Sequence, residues 1–256
     1  DPGWLLVLGS AAFIWALVGF KAEPFRRIFI FLLDGVLVTS QLTIASFLFI
    51  LLVGLIGGMG RIAKNPIVNG IATLYVEIMR GIPLMVQLLF MWFALPQALD
   101  LLGKALLTPI PSLGQWLIDL SFSPFVTAVT GLTVCYGAYM SEIYRAGIES
   151  IPKGQMEAAR SLGMSYFQAM RYIILPQAIR VILPPVGNEF IALLKDSALV
   201  SVLAVSDLTR RGREFMARTF LSLETWAMVA LIYLVLTLFL ARIVAFLEKK
   251  MRFVAR

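Results

Sequence analysis

Long runs of apolar residues without a single charge constrain this chain more than any other feature. Gly35–Gly60 and Thr225–Ala241 contain no Asp, Glu, Lys or Arg. About 20 apolar residues in a helix cross the roughly 30 Å hydrocarbon core of a bilayer. Of the 256 residues, 60% are hydrophobic and only 14% are charged, which is too apolar a balance for a soluble domain. The runs therefore predict an integral membrane protein.

Six membrane-crossing segments can be drawn along the chain. Each is predicted to be helical, because lipid offers the backbone no hydrogen-bonding partner. The predicted spans are Trp4–Phe20, Gly35–Gly60, Pro66–Leu99, Leu120–Ser141, Pro176–Leu203 and Thr225–Ala241. Two longer loops remain, Gln97–Phe122 on the outside and Glu149–Leu175 on the inside. The predicted fold class is an all-α, polytopic membrane helix bundle.

The net charge of +7 follows membrane topology and does not indicate nucleic acid as a partner, because Lys and Arg stand at the ends of the apolar runs. With both chain ends in the cytoplasm, Arg61, Lys64 and the region 145–180 face inside. The basic stretch 210–218 would then lie outside, so the inside bias is modest. Membrane lipid is the expected surrounding.

Several classes of chemistry are excluded by missing residue types. The chain has no histidine and one cysteine, Cys135, which excludes Ser-His or Cys-His catalysis, His-ligated zinc and an internal disulfide. It also lacks the G-x-x-x-x-G-K-[ST] loop that cradles nucleotide phosphates. The sequence therefore predicts no catalytic residue, no metal site and no cofactor bound by this chain.

Two acidic and basic pairs occur within the apolar helices. Glu77 with Arg80 and Glu142 with Arg145 are both spaced i,i+3, which puts each pair on one helix face. The favoured interpretation is two self-neutralised ion pairs near the inner boundary. A gate or coupling role is the alternative.

The internal loop carries the most specific motif. It contains Glu157-Ala158-Ala159, then three residues, Gly163, nine residues, and Ile173-Ile-Leu175-Pro176. This resembles the E-A-A, G and I-x-L-P signature of the permeases of bacterial ABC importers. Further stretches are similar to polar amino acid permeases (the histidine, glutamine, arginine and glutamate type), namely residues 80–87, 137–155, 175–178, 184–190 and 194–197.

The resemblance implies a domain organisation. Residues 31–248 would form the five-helix core of a type I ABC importer, with a cytoplasmic coupling loop at 149–175. Residues 1–30 would add an N-terminal transmembrane helix and linker, and 249–256 a basic cytoplasmic tail. The protein would be a multi-pass component of the bacterial inner membrane.

The resemblance also implies that the coupling loop docks on a separate ATPase. The implied docking residues are Glu157, Ala158, Ala159, Arg160, Leu162 and Gly163. The local chemistry agrees with a helix pair, because Gly163 can adopt the left-handed conformation that ends a helix. Ser165 and Gln168 match a capping box that begins the next helix, and Pro176 suits a first helical turn.

Two carboxylates within the fifth predicted span are candidates for the substrate path. Glu189 and Asp196 are seven residues apart, so both lie on one helix face. Ionised groups in lipid are expensive and should face a cavity or a partner. By resemblance, Asn188 and Cys135 would also line the path, which would carry polar amino acids. A carboxylate there favours basic substrates because it can bind a guanidinium, but an α-ammonium would satisfy it as well. Pairing of the carboxylates with Arg180, Lys195 or a second subunit is the open alternative.

The implied assembly has several parts. A second permease subunit, identical or paralogous, would complete the path, and two ATP-binding subunits would hold ATP and Mg²⁺. A periplasmic or lipid-tethered binding protein would deliver the amino acid. The permease itself would not be an enzyme. An ion-coupled secondary amino-acid transporter is the alternative function, but it predicts inverted repeats, and none is visible.

Overall fold

The chain is helical almost throughout in the computed structural model, which describes residues 2–20 and 22–253. No strand occurs within these ranges, so the all-α prediction is confirmed for the described residues. The helices are α1 (Pro2–Phe20), α2 (Ala22–Ile62), α3 (Pro66–Gly81), α4 (Leu84–Leu89), α5 (Leu95–Leu106), α6 (Pro111–Asp119), α7 (Pro124–Glu149), α8 (Lys153–Ser161), α9 (Tyr166–Ala169), α10 (Leu175–Asp196), α11 (Leu208–Thr219) and α12 (Ser222–Phe253). Two π turns, Phe90–Ala94 and Met170–Ile174, and a 3₁₀ helix, Ser197–Leu203, join some of them.

Three helical stretches in the described part are long and apolar enough to cross a membrane. They are Glu23–Ile62, Leu84–Leu106 and Ser222–Lys250, and α6 with α7 would add a fourth span bent by 103°. The predicted spans Trp4–Phe20 and Pro176–Leu203 are also helical, as α1 and as α10 with its 3₁₀ extension, but neither is among these stretches. Part of the predicted tail 249–256 lies outside the described residues.

The third predicted span, Pro66–Leu99, is wrong as a single helix. It breaks between α3 and α4 at Ile82, whose backbone is extended (φ −106°, ψ 133°) because the following proline disfavours the helical region. Pro83 has no N–H to donate to the carbonyl of Met79. The buried side chain of Gln87 replaces that donor, and its Nε2 reaches Met79 O at 2.7 Å and Ile82 O at 2.8 Å.

The predicted external loop Gln97–Phe122 is also wrong, because most of it is helical. The end of α5 and the whole of α6 form a tight hairpin through this region. A Cβ on Gly103 would lie 2.8 Å from the carbonyl oxygen of Gly114, and one on Gly114 would lie 2.7 Å from that of Gly103. Two glycines eleven positions apart allow this contact, and pairing across a turn is not visible in helical periodicity.

Glycines on α2 let it pack closely along α7 at the centre of the bundle. The sequence contains Gly54-x-x-x-Gly58, a spacing that permits helix contact in membranes. A Cβ on Gly54 would lie 2.4 Å from Met140 Cγ, and one on Gly58 would lie 2.9 Å from the carbonyl oxygen of Ser141. The residues of α7 are accordingly among the most buried, and Met140 is fully buried.

The remaining helices pack around this pair in two apolar clusters. The larger cluster joins α2, α7 and α10 through side chains such as Leu42, Leu132 and Leu193, each fully buried. The second joins α1 and α12 to the first half of α2, with Leu32 and Met228 fully buried. The additional N-terminal helix is therefore packed against the bundle.

The arginine-rich stretch after α10 forms α11, which is capped at its start by Asp207. This side chain is fully buried and accepts hydrogen bonds from the backbone N–H of Thr209 at 3.0 Å and of Arg210 at 3.1 Å. Burial raises the pKa of Asp207 to about 6, against the smaller lowering by those two N–H donors. Thr39 on α2 accepts the backbone N–H of Leu208 at 3.0 Å, which fixes α11 to the bundle.

Candidate coupling loop and translocation cavity

The coupling loop forms a helix pair whose turn is specified by Gly163. The backbone of Gly163 is left-handed, with φ +83°, as its position after the first helix predicts. Its N–H donates to Arg160 O at 3.0 Å, and the N–H of Met164 donates to Ala159 O at 3.1 Å. These two bonds form a Schellman motif, which satisfies the last carbonyls of α8.

The second helix of the pair begins at the predicted capping box. The Ser165 hydroxyl accepts the backbone N–H of Gln168 at 3.3 Å, and the Gln168 side chain accepts the N–H of Ser165 at 2.8 Å. From here the backbone remains helical through a π turn into α10. The N–H of Leu175 bonds to Met170 O across that turn. Pro176 is thus accommodated just after a π turn, and the loop continues into α10 without a hinge of extended residues.

The implied docking residues divide between two faces of the pair. Glu157, Ala158, Arg160 and Gly163 are exposed, and Leu162 is 84% exposed. Phe167 on the second helix is 83% exposed, although the sequence analysis did not single it out. Ala159 instead is only 4% exposed, and Ala169 is fully buried on the second helix of the pair, which packs against the first.

A cluster of charges lies at the end of α7 that leads into the coupling loop. Glu142 and Arg145 form the ion pair expected from their spacing, with Arg145 Nε 3.0 Å from Glu142 Oε2. Two partners extend it. Arg61 at the end of α2 reaches Glu142 at 2.7 Å, and Glu149 also pairs with Arg145. The cluster links the end of α2 to the end of α7, so Arg61 and the coupling loop lie at the same end of the bundle.

The other expected ion pair is absent from the described residues. Glu77 and Arg80 form no salt bridge, because the Arg80 guanidinium turns toward α7 and lies 5.4 Å from the ring centroid of Tyr139. A cationic group over an aromatic face is attracted by the ring quadrupole. Helix spacing allows the Glu77 contact but cannot predict a competing ring on another helix.

Arg80 and Glu189 line one cavity between α3, α7 and α10. The cavity has a volume of 310 Å³, and Tyr139 and Glu142 also contribute to its wall. Glu189 is half-buried and forms no salt bridge with any described residue. Gly147 and Pro185 also line the cavity, each nearer the coupling loop along its own helix. An unpaired carboxylate and an unpaired guanidinium thus face a common space large enough for a small polar molecule.

The other candidate residues of the path lie elsewhere. The Asp196 carboxylate accepts a hydrogen bond from the Tyr136 hydroxyl at 2.7 Å and does not line the Arg80 cavity. Asn188 is exposed, and Cys135 is 2% exposed in the core of α7. Neither Asn188 nor Cys135 lines the cavity. The sequence did not indicate Tyr136 or Tyr139 as site residues, although both lie on the same helix as the predicted Glu142.

Comparison with known proteins places this architecture in one family. A family profile described as "Binding-protein-dependent transport system inner membrane component" matches residues 50–253. The chain belongs to this family. It is therefore an inner-membrane component of a bacterial transport system, as its apolar helices require.

Relatives of this inner-membrane component are transport permeases. The glutamine transport system permease protein GlnP of Escherichia coli (strain K12) is 38% identical over 221 residues, which cover 86% of this chain and 93% of that protein. The arginine transport system permease protein ArtQ of Bacillus subtilis (strain 168) is 35% identical over 222 residues, covering 87% of this chain and 93% of that protein.

Solved structures give the same fold. A crystal structure of an amino acid ABC transporter with histidines contains a chain that is 35% identical, with a TM-score of 0.76, over 88% of this chain and 95% of that chain. The methionine ABC transporter MetNI in an inward-facing conformation matches at a TM-score of 0.67 and 19% identity. The second match supports the fold alone. The predicted bundle of an ABC importer permease is thereby confirmed.

Proposed function

We propose that this chain is the permease subunit of an ATP-driven importer that carries polar, including basic, amino acids. The observation that carries the proposal is the exposed helix pair of the coupling loop, which leads directly into the helix that bears Glu189. The relatives named for glutamine and arginine transport support the substrate class.

The surface of the coupling loop suits a docking partner. Leu162 and Phe167 are both more than four-fifths exposed, although each is large and apolar. Exposed apolar side chains rimmed by charges mark an interaction site, and Glu157 and Arg160 supply the charges here. This surface would fill a groove on an ATP-binding subunit. The Schellman turn at Gly163 would hold the two helices at a fixed angle in that groove.

Movement of the loop would be transmitted to the cavity through α10. The helical backbone is continuous from Tyr166 through the π turn to Asp196, and Glu189 lies on it. Because the helix is continuous, displacement of its loop end would also move the residues that follow Pro184 and Pro185 within it. Docking and release of the ATPase would therefore move Glu189 relative to Arg80, which belongs to α3.

The cavity offers both charges that an amino acid zwitterion requires. Arg80 would bind the α-carboxylate through its guanidinium, and Glu189 would bind the α-ammonium. Neither group has an ion-pair partner among the described residues, so neither has to give one up. Asp196, seven residues further along α10, would attract a cationic side chain and favour basic substrates.

The rest of the machinery would come from other chains. Because the sequence has no phosphate-binding loop, two ATP-binding subunits would hold ATP and Mg²⁺. A second permease subunit would complete the path, and a binding protein would deliver the amino acid from outside. The coupling loop would face the cytoplasm.

Uptake measured in proteoliposomes tests this proposal. The chain would be reconstituted with its ATP-binding subunits and binding protein, and labelled arginine and glutamine would be supplied outside. Uptake should require ATP on the side of the coupling loop and should stop when the ATP-binding subunits are omitted. Uptake driven by an ion gradient without those subunits would instead support a secondary transporter.

A further inference from the structure

A second cavity lies at the end of the bundle opposite the coupling loop. It has a volume of 570 Å³ and opens between the start of α2 and the end of α11. Three arginines line it, Arg26 and Arg27 from α2 and Arg218 from α11. The import mechanism proposed above uses none of these residues.

The cavity carries uncompensated positive charge. Arg26, Arg27 and Arg218 are exposed, and none of them forms an ion pair with a described residue. Glu23 is the one carboxylate among the described lining residues. The floor is apolar, with Phe31 beneath the Arg218 guanidinium at 5.5 Å from the ring centroid. Three guanidiniums around one space make a site for an anion with several acceptor oxygens, such as a phosphodiester.

The helices place this cavity at a membrane boundary. The apolar helix α1 ends at Phe20, shortly before Arg26, and α12 begins at Ser222, shortly after Arg218. The far end of α2 carries Arg61, which contacts Glu142 beside the coupling loop. The arginines therefore lie where the apolar surface of the bundle stops, on the side away from that loop.

An apolar track leads from the cavity along α2. Ile30 lines the cavity and is 57% exposed, and Leu33 and Leu37 are 46% and 60% exposed. The spacing of three and four residues puts all three side chains on one helix face. Asp34 lies on the same face, where Arg211 pairs with its carboxylate at 3.2 Å. The track begins at the basic cavity and continues toward the middle of the span, as an acyl chain does below its headgroup.

We propose that this cavity binds an anionic phospholipid. The phosphate would lie among Arg26, Arg27 and Arg218, and one acyl chain would follow Ile30, Leu33 and Leu37. An acidic protein surface would satisfy the arginines but would leave the apolar track without a function, which is why a lipid is the assigned occupant. The bound lipid would anchor the start of α2 and the end of α11 in the leaflet away from the coupling loop.

Native mass spectrometry of the full chain tests the proposal. The protein in detergent is titrated with phosphatidylglycerol and, separately, with phosphatidylcholine of the same acyl chains. The unaltered protein should retain phosphatidylglycerol preferentially, and the preference should shrink as ionic strength rises. Equal retention of the two lipids by the unaltered protein overturns the proposal without any variant.

A triple substitution locates the site. Arg26→Gln, Arg27→Gln and Arg218→Gln together should weaken phosphatidylglycerol binding by at least about tenfold, since basic residues near the membrane surface attract anionic lipid. The matched control replaces three exposed basic residues of the coupling loop, Lys153, Arg160 and Arg171, by Gln. Equal loss in both variants, or no loss in the first, overturns the assignment.

A competition experiment separates the lipid from a free anion. Glycerol 3-phosphate supplies the phosphate without acyl chains and should not displace phosphatidylglycerol from the unaltered protein at equal concentration. Displacement at equal concentration would identify a soluble-anion site and overturn the lipid assignment. The lipid assignment would also be overturned if the protein alone showed no preference for phosphatidylglycerol and an acidic binding protein displaced the bound lipid.

Discussion

The Tyr136 hydroxyl donates a 2.7 Å hydrogen bond to the Asp196 carboxylate and so joins α7 to the end of α10. Glu189, on the same helix as Asp196, has no such partner among the residues that the structure describes and lines the cavity with Arg80. The spacing along the helix does not distinguish the two carboxylates, but the structure gives them different surroundings. The hydrogen bond from Tyr136 holds the Asp196 carboxylate in place without neutralising its charge, whereas Glu189 is open to direct contact with a ligand.

Substituting the two carboxylates separately should distinguish their roles. Glu189→Gln should reduce uptake of both arginine and glutamine by about tenfold or more, because it removes the group proposed to bind the α-ammonium. Asp196→Asn should reduce arginine uptake more than glutamine uptake. Initial rates in proteoliposomes are the measurement. Normal glutamine uptake by Glu189→Gln would remove Glu189 as the ammonium ligand.

Gly163 should be required for coupling because of its backbone conformation. Gly163→Asp forces a side chain onto a residue with φ +83°, which should distort the helix pair and leave ATP hydrolysis uncoupled from uptake. Gly154→Asp is the matched control, since Gly154 also has open space around it but no left-handed backbone. ATPase activity and uptake are measured together. Equal behaviour of the two variants would contradict a docking role for the Gly163 turn.

Gln87 should stabilise the break between α3 and α4. Gln87→Met keeps the volume but leaves the carbonyls of Met79 and Ile82 without their donor, at a cost of about 1–2 kcal/mol in the free energy of unfolding. Gln115→Met, on the exposed face of α6, is the control and should change stability little. The free energy of unfolding of each variant is measured in mild detergent. A stable Gln87→Met variant would show that water supplies the missing donors.

The close contact between α2 and α7 should make Gly58 intolerant of a side chain. A Cβ there would lie 2.9 Å from Ser141 O, so Gly58→Val should lower the free energy of unfolding by about 1–3 kcal/mol. Gly70→Val is the control. It makes the same Gly-to-Val change within a helix, but no neighbouring atom lies within 4 Å of a Cβ at Gly70. The difference between the two variants therefore measures the helix contact, and no difference would mean that the helices separate without cost.

Asp207 should make stability depend on pH. Its pKa rises on folding from the ordinary value of 3.8 to about 6, so the folded state favours the protonated form. Its contribution is fully present below pH 3.8 and is lost as the pH rises through 6, which amounts to about 3 kcal/mol at most. Asp207→Asn keeps the cap and should abolish this loss. The loss of stability is measured from unfolding midpoints between pH 4 and pH 7. The control is Asp119→Asn, because Asp119 is exposed.

Features that depend on neighbours along the chain could be predicted from the sequence. The helical turn at Gly163 and the capping box of Ser165 and Gln168 follow from local backbone chemistry, and the structure contains both. The break at Pro83 was also encoded locally, since proline removes a donor and restricts the preceding residue. It was overlooked because the apolar character continues unchanged across it.

The sequence by itself determined that the chain is a helical membrane bundle, because hydropathy and backbone satisfaction act on each segment alone. Only the tertiary structure decided which charges are free. Arg80 turns to Tyr139, and Asp196 is held by Tyr136, through contacts between residues 59 and 60 positions apart. Such choices depend on which side chain another helix brings within reach, and helical spacing carries no information about that.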